Sequence, residues 1–82
     1  MKNINLGDFI INLNDDVKYE RYHDKHYDGI IFYDKDGGKY DVVNNYLMGY
    51  RLIINNHEGF KDIPFRESTF CFLPAGVEVK FT

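Results

Sequence analysis

The chain has no tryptophan, no glutamine, one alanine (Ala75), one cysteine (Cys71) and two prolines in 82 residues. A lone cysteine excludes an intramolecular disulfide, so packing must hold the fold, and a reducing cytoplasm is the compartment that suits it. No stretch approaches the roughly 20 apolar residues of a membrane-spanning helix. The first residues, MKNINLGDFIINLNDD, contain no apolar run of signal-peptide length. Positive charge is also scarce: ten Lys and Arg stand against 13 Asp and Glu, for a net charge of −3. That balance argues against direct binding of a nucleic-acid backbone, which needs a basic patch. It is too mild to read as a nucleic-acid mimic. No nucleophile elbow, P-loop or dinucleotide fingerprint occurs, so no enzymatic activity is expected. No repeat, linker or low-complexity tract divides the chain.

Apolar residues make up 44% and aromatics 17%, too many for a disordered chain. Seven Phe and seven Tyr supply most of the bulk. Size scaling gives one domain, residues 1–82, with a folded surface of roughly 5,100 Å² and about 64% of the extended chain's surface buried. One core of modest stability follows. Asn, Lys, Ile, Tyr and Phe are favoured, the residues of AT-rich codons. By association this composition points to a low-GC bacterium or its phage.

The clearest structural signal is Gly29–Val43, GIIFYDKDGGKYDVV. Two apolar runs, Ile30–Tyr33 and Tyr40–Val43, flank a Gly-rich turn. A two-residue turn at Gly37-Gly38 would oppose Asp34 with Asp41, which repel. A turn at Asp36-Gly37 opposes Asp34 with Lys39, Tyr33 with Tyr40 and Ile31 with Val42, and is preferred. Ile31, Tyr33, Tyr40 and Val42 then share one face, and Ile30, Phe32 and Val43 the other. With both faces apolar, the ribbon belongs inside a wrapped sheet.

Elsewhere, Asp8–Leu13 alternates as a half-buried first strand. Val17–Asp28 is preferred as a strand, Val17–Tyr22, followed by a long polar loop. A helix with a stripe of Tyr19, Tyr22, His23, His26 and Tyr27 stays open as the alternative. Tyr46–Asn55 reads as a strand with Gly49 marking a bulge. Asn55–Gly59 reads as a turn. Phe60–Phe65 contains Pro64 and belongs at an edge or in a loop. A second hairpin is predicted from Ser68–Leu73 and Val77–Phe81 around Pro74-Ala75-Gly76. It puts Cys71 on the core face as a buried structural cysteine. Phe70 and Phe72 then lie on a charged face beside Glu78 and Lys80, needing cover.

The sum is a mainly β domain: a small barrel or strongly coiled sheet of five to six antiparallel strands, with at most one short helix. The segment from Tyr27-Asp28-Gly29 through the acidic Gly turn to Tyr40-Asp41-Val42 resembles the central hairpin of SH3-like and Tudor-like barrels. That resemblance covers about fifteen residues, implies fold alone and carries no functional residue.

His23-x-x-His26 with Asp24, Asp28 and His57 is the best metal candidate, at a spacing common by chance, so no metal or cofactor is expected. Asp34-x-Asp36-Gly37-Gly38 begins like a calcium loop, but Lys39 and Asn45 occupy the positions that need Gly and Glu. The aromatic residues are more informative, because they exceed what one small core readily hides. Tyr19, Tyr22, Tyr27, Phe70 and Phe72, rimmed by Asp24 and Asp28, form the candidate protein-binding surface; Tyr46 and Tyr50 add to the same excess. The expectation is therefore a non-enzymatic protein-binding domain, of the kind a phage or mobile element encodes to modulate a host nucleic-acid-handling or defence protein. A self-assembling β component, with homo-oligomers formed through Phe70 and Phe72, is the alternative. A metal- or ligand-binding protein using His23 and His26 is another. The docking surface expected here depends on both hairpins: a helix at either one, or every Phe and Tyr enclosed within one subunit, overturns it.

Overall fold

The computed structural model describes all residues 1–82. Eight strands run in chain order: β1 Lys2–Asn5, β2 Phe9–Leu13, β3 Lys18–His23, β4 Tyr27–Tyr33, β5 Lys39–Asn45, β6 Gly49–Asn56, β7 Gly59–Pro64 and β8 Val77–Phe81. A 3₁₀ turn, Glu67–Phe72, precedes β8. Hydrogen bonding divides the strands into two antiparallel sheets, ordered β1-β2-β8 and β3-β4-β5-β6-β7. The mainly β, antiparallel architecture expected from the sequence is present. The smaller sheet forms because Lys2–Asn5 folds back on one edge of β2 and the C-terminal strand β8 pairs with its other edge, and the strand count reaches eight. No helix is long and apolar enough to cross a membrane.

The core lies between the two sheets. Leu6, Phe9, Ile11 and Leu13 from the smaller sheet meet Ile30, Phe32, Tyr40, Val42, Leu52 and Ile54 from the larger, with Phe65 closing one end. Alternation places these residues: every second position of β2, β4, β5 and β6 turns inward. Tyr50 ties the sheets together. Its hydroxyl donates to the Leu6 carbonyl at 2.5 Å, accepts from the Asp8 N–H at 3.2 Å, and its ring meets Phe9 edge-on at 4.9 Å.

The central hairpin forms, but one residue out of the predicted register. Phe32 pairs with Tyr40 and Ile30 with Val42, so Tyr33 rather than Asp34 faces Lys39. The cause is the Asp34 side chain. Its carboxylate accepts the N–H groups of Asp36 at 2.9 Å and Gly38 at 2.7 Å, and the Tyr40 hydroxyl at 3.1 Å. The loop is therefore Lys35–Gly37, closed by the Asp34 N–H to Gly38 carbonyl bond at 3.0 Å, with Gly37 at φ +85°. This is a three-residue turn with glycine in the left-handed position. The one-residue shift re-sorts the faces. Ile30, Phe32, Tyr40 and Val42 point into the core, leaving Ile31, Tyr33, Asp41 and Val43 on the opposite face, where Val43 is nevertheless buried.

Val17–Asp28 is strand, as preferred, and the helix does not form. The long loop is instead a two-residue turn, Lys25-His26, because the Asp24 carboxylate accepts the N–H groups of His26 and Tyr27 at 2.9 and 2.8 Å. Gly49 is not a bulge within a strand. At φ +79° it ends the turn Tyr46–Met48, where the Asn45 side chain accepts the Leu47 N–H at 2.9 Å. Asn56–Gly59 turns as predicted, and Pro64 ends the edge strand β7.

Ser68–Leu73 is the main correction. It is a short 3₁₀ helix rather than a strand, which overturns the docking surface expected from the two hairpins, and β8 pairs with β2 instead, placing Val79 opposite Ile11 and Phe81 opposite Phe9. Thr69 explains the turn. Its hydroxyl accepts the Arg66 N–H at 3.0 Å and lies 2.9 Å from the carbonyls of Pro64 and Arg66. With a period near three, Phe70 and Leu73 reach the core while Ser68, Cys71 and Phe72 face outward. Cys71, expected to be buried, is exposed.

Candidate functional site

The larger sheet has one face in the core and the other free. On the free face, residues paired across neighbouring strands stand side by side in rungs. One rung runs Glu20, Ile31, Asp41, Ile53 and Asp62 from β3 to β7. The next holds Tyr22, Gly29, Val43, Arg51 and Pro64. Between them opens a groove of about 520 Å³ with Ile31, Val43 and Ile53 as its apolar floor. Asp41 lies in the middle of that floor, between Ile31 and Ile53, with Tyr22 to one side and Arg51 and Asp62 to the other. Tyr27, Asn45 and Met48 close its end.

Two polar pairs shape the walls. The Tyr22 ring lies across Gly29, where a Cβ would come within 2.6 Å of its ring carbon. Its hydroxyl donates to Asp41 Oδ1 at 2.7 Å, bridging two strands. Burial raises the Asp41 carboxyl above the usual carboxylate range, while the Tyr22 bond and the charge of Lys39 offset part of that. Burial, and then the bond to Asp41, push the Tyr22 phenol well above its ordinary value. Opposite, the Arg51 guanidinium donates to the Asp62 carboxylate and carbonyl, both at 3.1 Å.

The turn beside the groove carries an unusual load. Tyr46, Leu47 and Met48 are 56, 96 and 69% exposed, and neighbouring Tyr27 is 43% exposed. The β5–β6 turn thus carries three exposed large side chains, of which Met48, together with Tyr27, lines the groove.

The residues singled out from the sequence are divided by this fold. Tyr22 and Tyr27 are brought together at the groove. Tyr19 turns to the core side, packed against the buried cluster. Asp28 also lies on the core-side face, where it pairs with Arg21 and sits 3.3 Å from His23 Nδ1. The Arg21 bond holds the Asp28 carboxyl below the usual range. Asp24 is exposed in the β3–β4 turn, its carboxyl lowered by the two backbone N–H bonds it accepts. Phe70 is taken up by an aromatic cluster, 6.0 Å from Phe9, 5.1 Å from Phe65 and 5.9 Å from Phe81. Phe72 is exposed, with the Lys61 ammonium 5.8 Å from its ring centre. The surface expected from pairing Phe70 with Phe72 is therefore not formed.

No cluster of three His, Cys, Asp or Glu side chains is placed to hold a metal ion. Asp34, the start of the calcium-like motif, spends its carboxylate on closing its own turn. Sequence reasoning missed the Ile31–Asp41–Ile53 rung and the Tyr46–Met48 tip. The alternation of Leu52, Ile53 and Ile54 carried the signal for the first. The pair of Asn residues before Tyr46, which marks a turn, carried it for the second.

Compared with protein-family models, with curated proteins and with solved structures, the chain matches none.

Proposed function

We propose that the chain is a non-enzymatic protein-binding domain that docks through the free face of its five-stranded sheet. The observation that carries this reading is the pair of exposed side chains Tyr27 and Met48 at the end of a groove floored by Ile31, Val43 and Ile53, with exposed Tyr46 and Leu47 on the same turn as Met48. A contiguous apolar patch with a polar rim is the mark of an interaction surface, and Tyr and Met are favoured in such patches. The docking face is not the one first expected from Phe70 and Phe72. Composition supports the finer reading of a phage- or mobile-element-encoded modulator: the protein is small, acidic and built from AT-rich codons. Its natural target is a host protein with a basic functional surface.

The test is affinity capture from a low-GC bacterial lysate with three baits: wild type, Leu47→Ser/Met48→Ser and Phe72→Ser. A stoichiometric partner retained by wild type and Phe72→Ser, and lost by the double variant, supports the reading. Equal capture by all three, or no partner for any, overturns it. Phe70 packing inward leaves the self-assembly alternative without half of its face.

A further inference from the structure

The charges around the groove select its occupant. The rung beneath it alternates acid and isoleucine across all five strands: Glu20, Ile31, Asp41, Ile53, Asp62. Adjacent strands lie about 4.8 Å apart, so successive carboxylates recur at about 10 Å with an apolar side chain between each pair. The central carboxylate differs from the outer two. Glu20 and Asp62 are exposed, whereas Asp41 is half-buried between Ile31 and Ile53. Asp62 already holds Arg51. Asp41 has one hydrogen-bond donor, the Tyr22 hydroxyl on Oδ1, although a carboxylate offers about four acceptor sites. Arg51 is therefore engaged at one wall, and an acceptor with capacity left over stands at the centre of the floor.

An anionic or purely apolar occupant would leave Asp41 further desolvated with only the nearby charge of Lys39 to offset it, which is costly. A second copy of this chain on a two-fold axis through the rung would set Asp41 against Asp41. A long cationic side chain avoids both penalties, because its methylene stem can lie on isoleucine while its head reaches a carboxylate.

We propose that this groove takes a lysine or arginine side chain of the protein partner, its stem between Ile31 and Ile53 and its cation on the Asp41 carboxylate. The exposed tip at Leu47 grips an apolar neighbour of that residue. The site thus recognises a basic residue flanked by apolar ones. The proposal rests on the protein-binding reading and names the chemistry of its partner.

The test uses the full chain, ¹⁵N-labelled, titrated to millimolar concentration with end-blocked tripeptides Leu-Arg-Leu, Leu-Lys-Leu, Leu-Gln-Leu and Leu-Glu-Leu. Amide shifts at Ile31, Asp41, Val43 and Ile53, with a basic peptide binding about fivefold or more tighter than the glutamine peptide at low salt, support the proposal. In Asp41→Asn that preference falls to about one. The peptide series on wild-type protein decides the question even if that variant folds poorly. Equal binding of the glutamine and basic peptides at these amides keeps the docking face and overturns the choice of a basic partner. Tighter binding of the glutamate peptide overturns that choice too. Shifts confined to other regions, or none with any peptide, overturn both the proposal and the docking face.

Discussion

The Tyr22 hydroxyl crosses a whole strand to reach Asp41, and it does so over Gly29. Tyr22 stands opposite Gly29 on β4, and Asp41 lies on β5. Any side chain on the intervening strand would block the path. Gly29 is thus required by close approach: its own φ is not positive, yet an added Cβ would also come within 2.6 Å of the Val42 carbonyl oxygen.

Gly29→Ala should therefore destabilise the chain by about 2–3 kcal/mol, the usual cost of overpacking against backbone. Tyr22→Phe, which loses only the hydrogen bond, should cost about 1 kcal/mol. Urea unfolding of both variants checks this. A Gly29→Ala protein as stable as wild type would show that the ring does not lie over the glycine.

Asp41 gives a pH dependence with a definite sign. Burial raises its carboxyl in the folded chain, so the unfolded chain ionises more readily. Its ionisation therefore opposes folding, and stability is lost as pH rises from the unfolded value through the folded one. Asp41→Asn removes that charge yet keeps an acceptor for Tyr22. It should be more stable than wild type at pH 7, with the gain shrinking toward zero as pH falls below the ordinary aspartate range. Asp28 and Asp34, both lowered by hydrogen bonds, act in the opposite sense: their contribution is present above the ordinary value and lost in acid. Paired melting curves of the variant and wild type across pH isolate Asp41, because the other carboxylates are common to both. A gain independent of pH would contradict the assignment.

The 3₁₀ turn makes neighbouring phenylalanines unequal. Phe70→Ala removes a ring from the cluster with Phe9, Phe65 and Phe81 and should cost about 3 kcal/mol. Phe72→Ala loses an exposed ring and its Lys61 contact, worth about 0.5–1 kcal/mol. Chemical denaturation separates the two. Similar losses at both positions would restore the strand reading, in which the two rings share one face.

Cys71 supplies an independent check on the same segment. Exposed at the end of the turn, it should react with a thiol reagent in the folded protein at a rate close to that of the urea-unfolded chain. Protection until global unfolding would place it in the core.

Much of the fold was legible because the strands declare themselves by alternation. Phe9, Ile11 and Leu13 are one example, and the edge position of Pro64 another. What misled was side chains that bond to nearby backbone. Asp34 drew two N–H groups onto its carboxylate and lengthened a turn by one residue, which put Tyr40 and Val42 on the face of Ile30 and Phe32 rather than that of Ile31 and Tyr33. Thr69 did the same for Ser68–Leu73, where Phe-x-Phe reads as a strand although Phe70-x-x-Leu73 is the spacing that packs. Two of the five candidate aromatics, Phe70 and Phe72, were separated with it. Tyr22 and Tyr27 were legible as interface-type residues. Their meeting with Asp41 and Met48 was not, because it depends on the order of five strands.

The pairing of β2 with β8 has a kinetic consequence. The five-stranded sheet is a run of consecutive hairpins and can assemble from local contacts alone. Phe9, Ile11 and Leu13 must wait for a strand about seventy residues downstream before the smaller sheet is complete. During synthesis the free face of that sheet is therefore shaped first, on a half-built molecule whose apolar underside has only β1 and β2 as cover until β8 emerges.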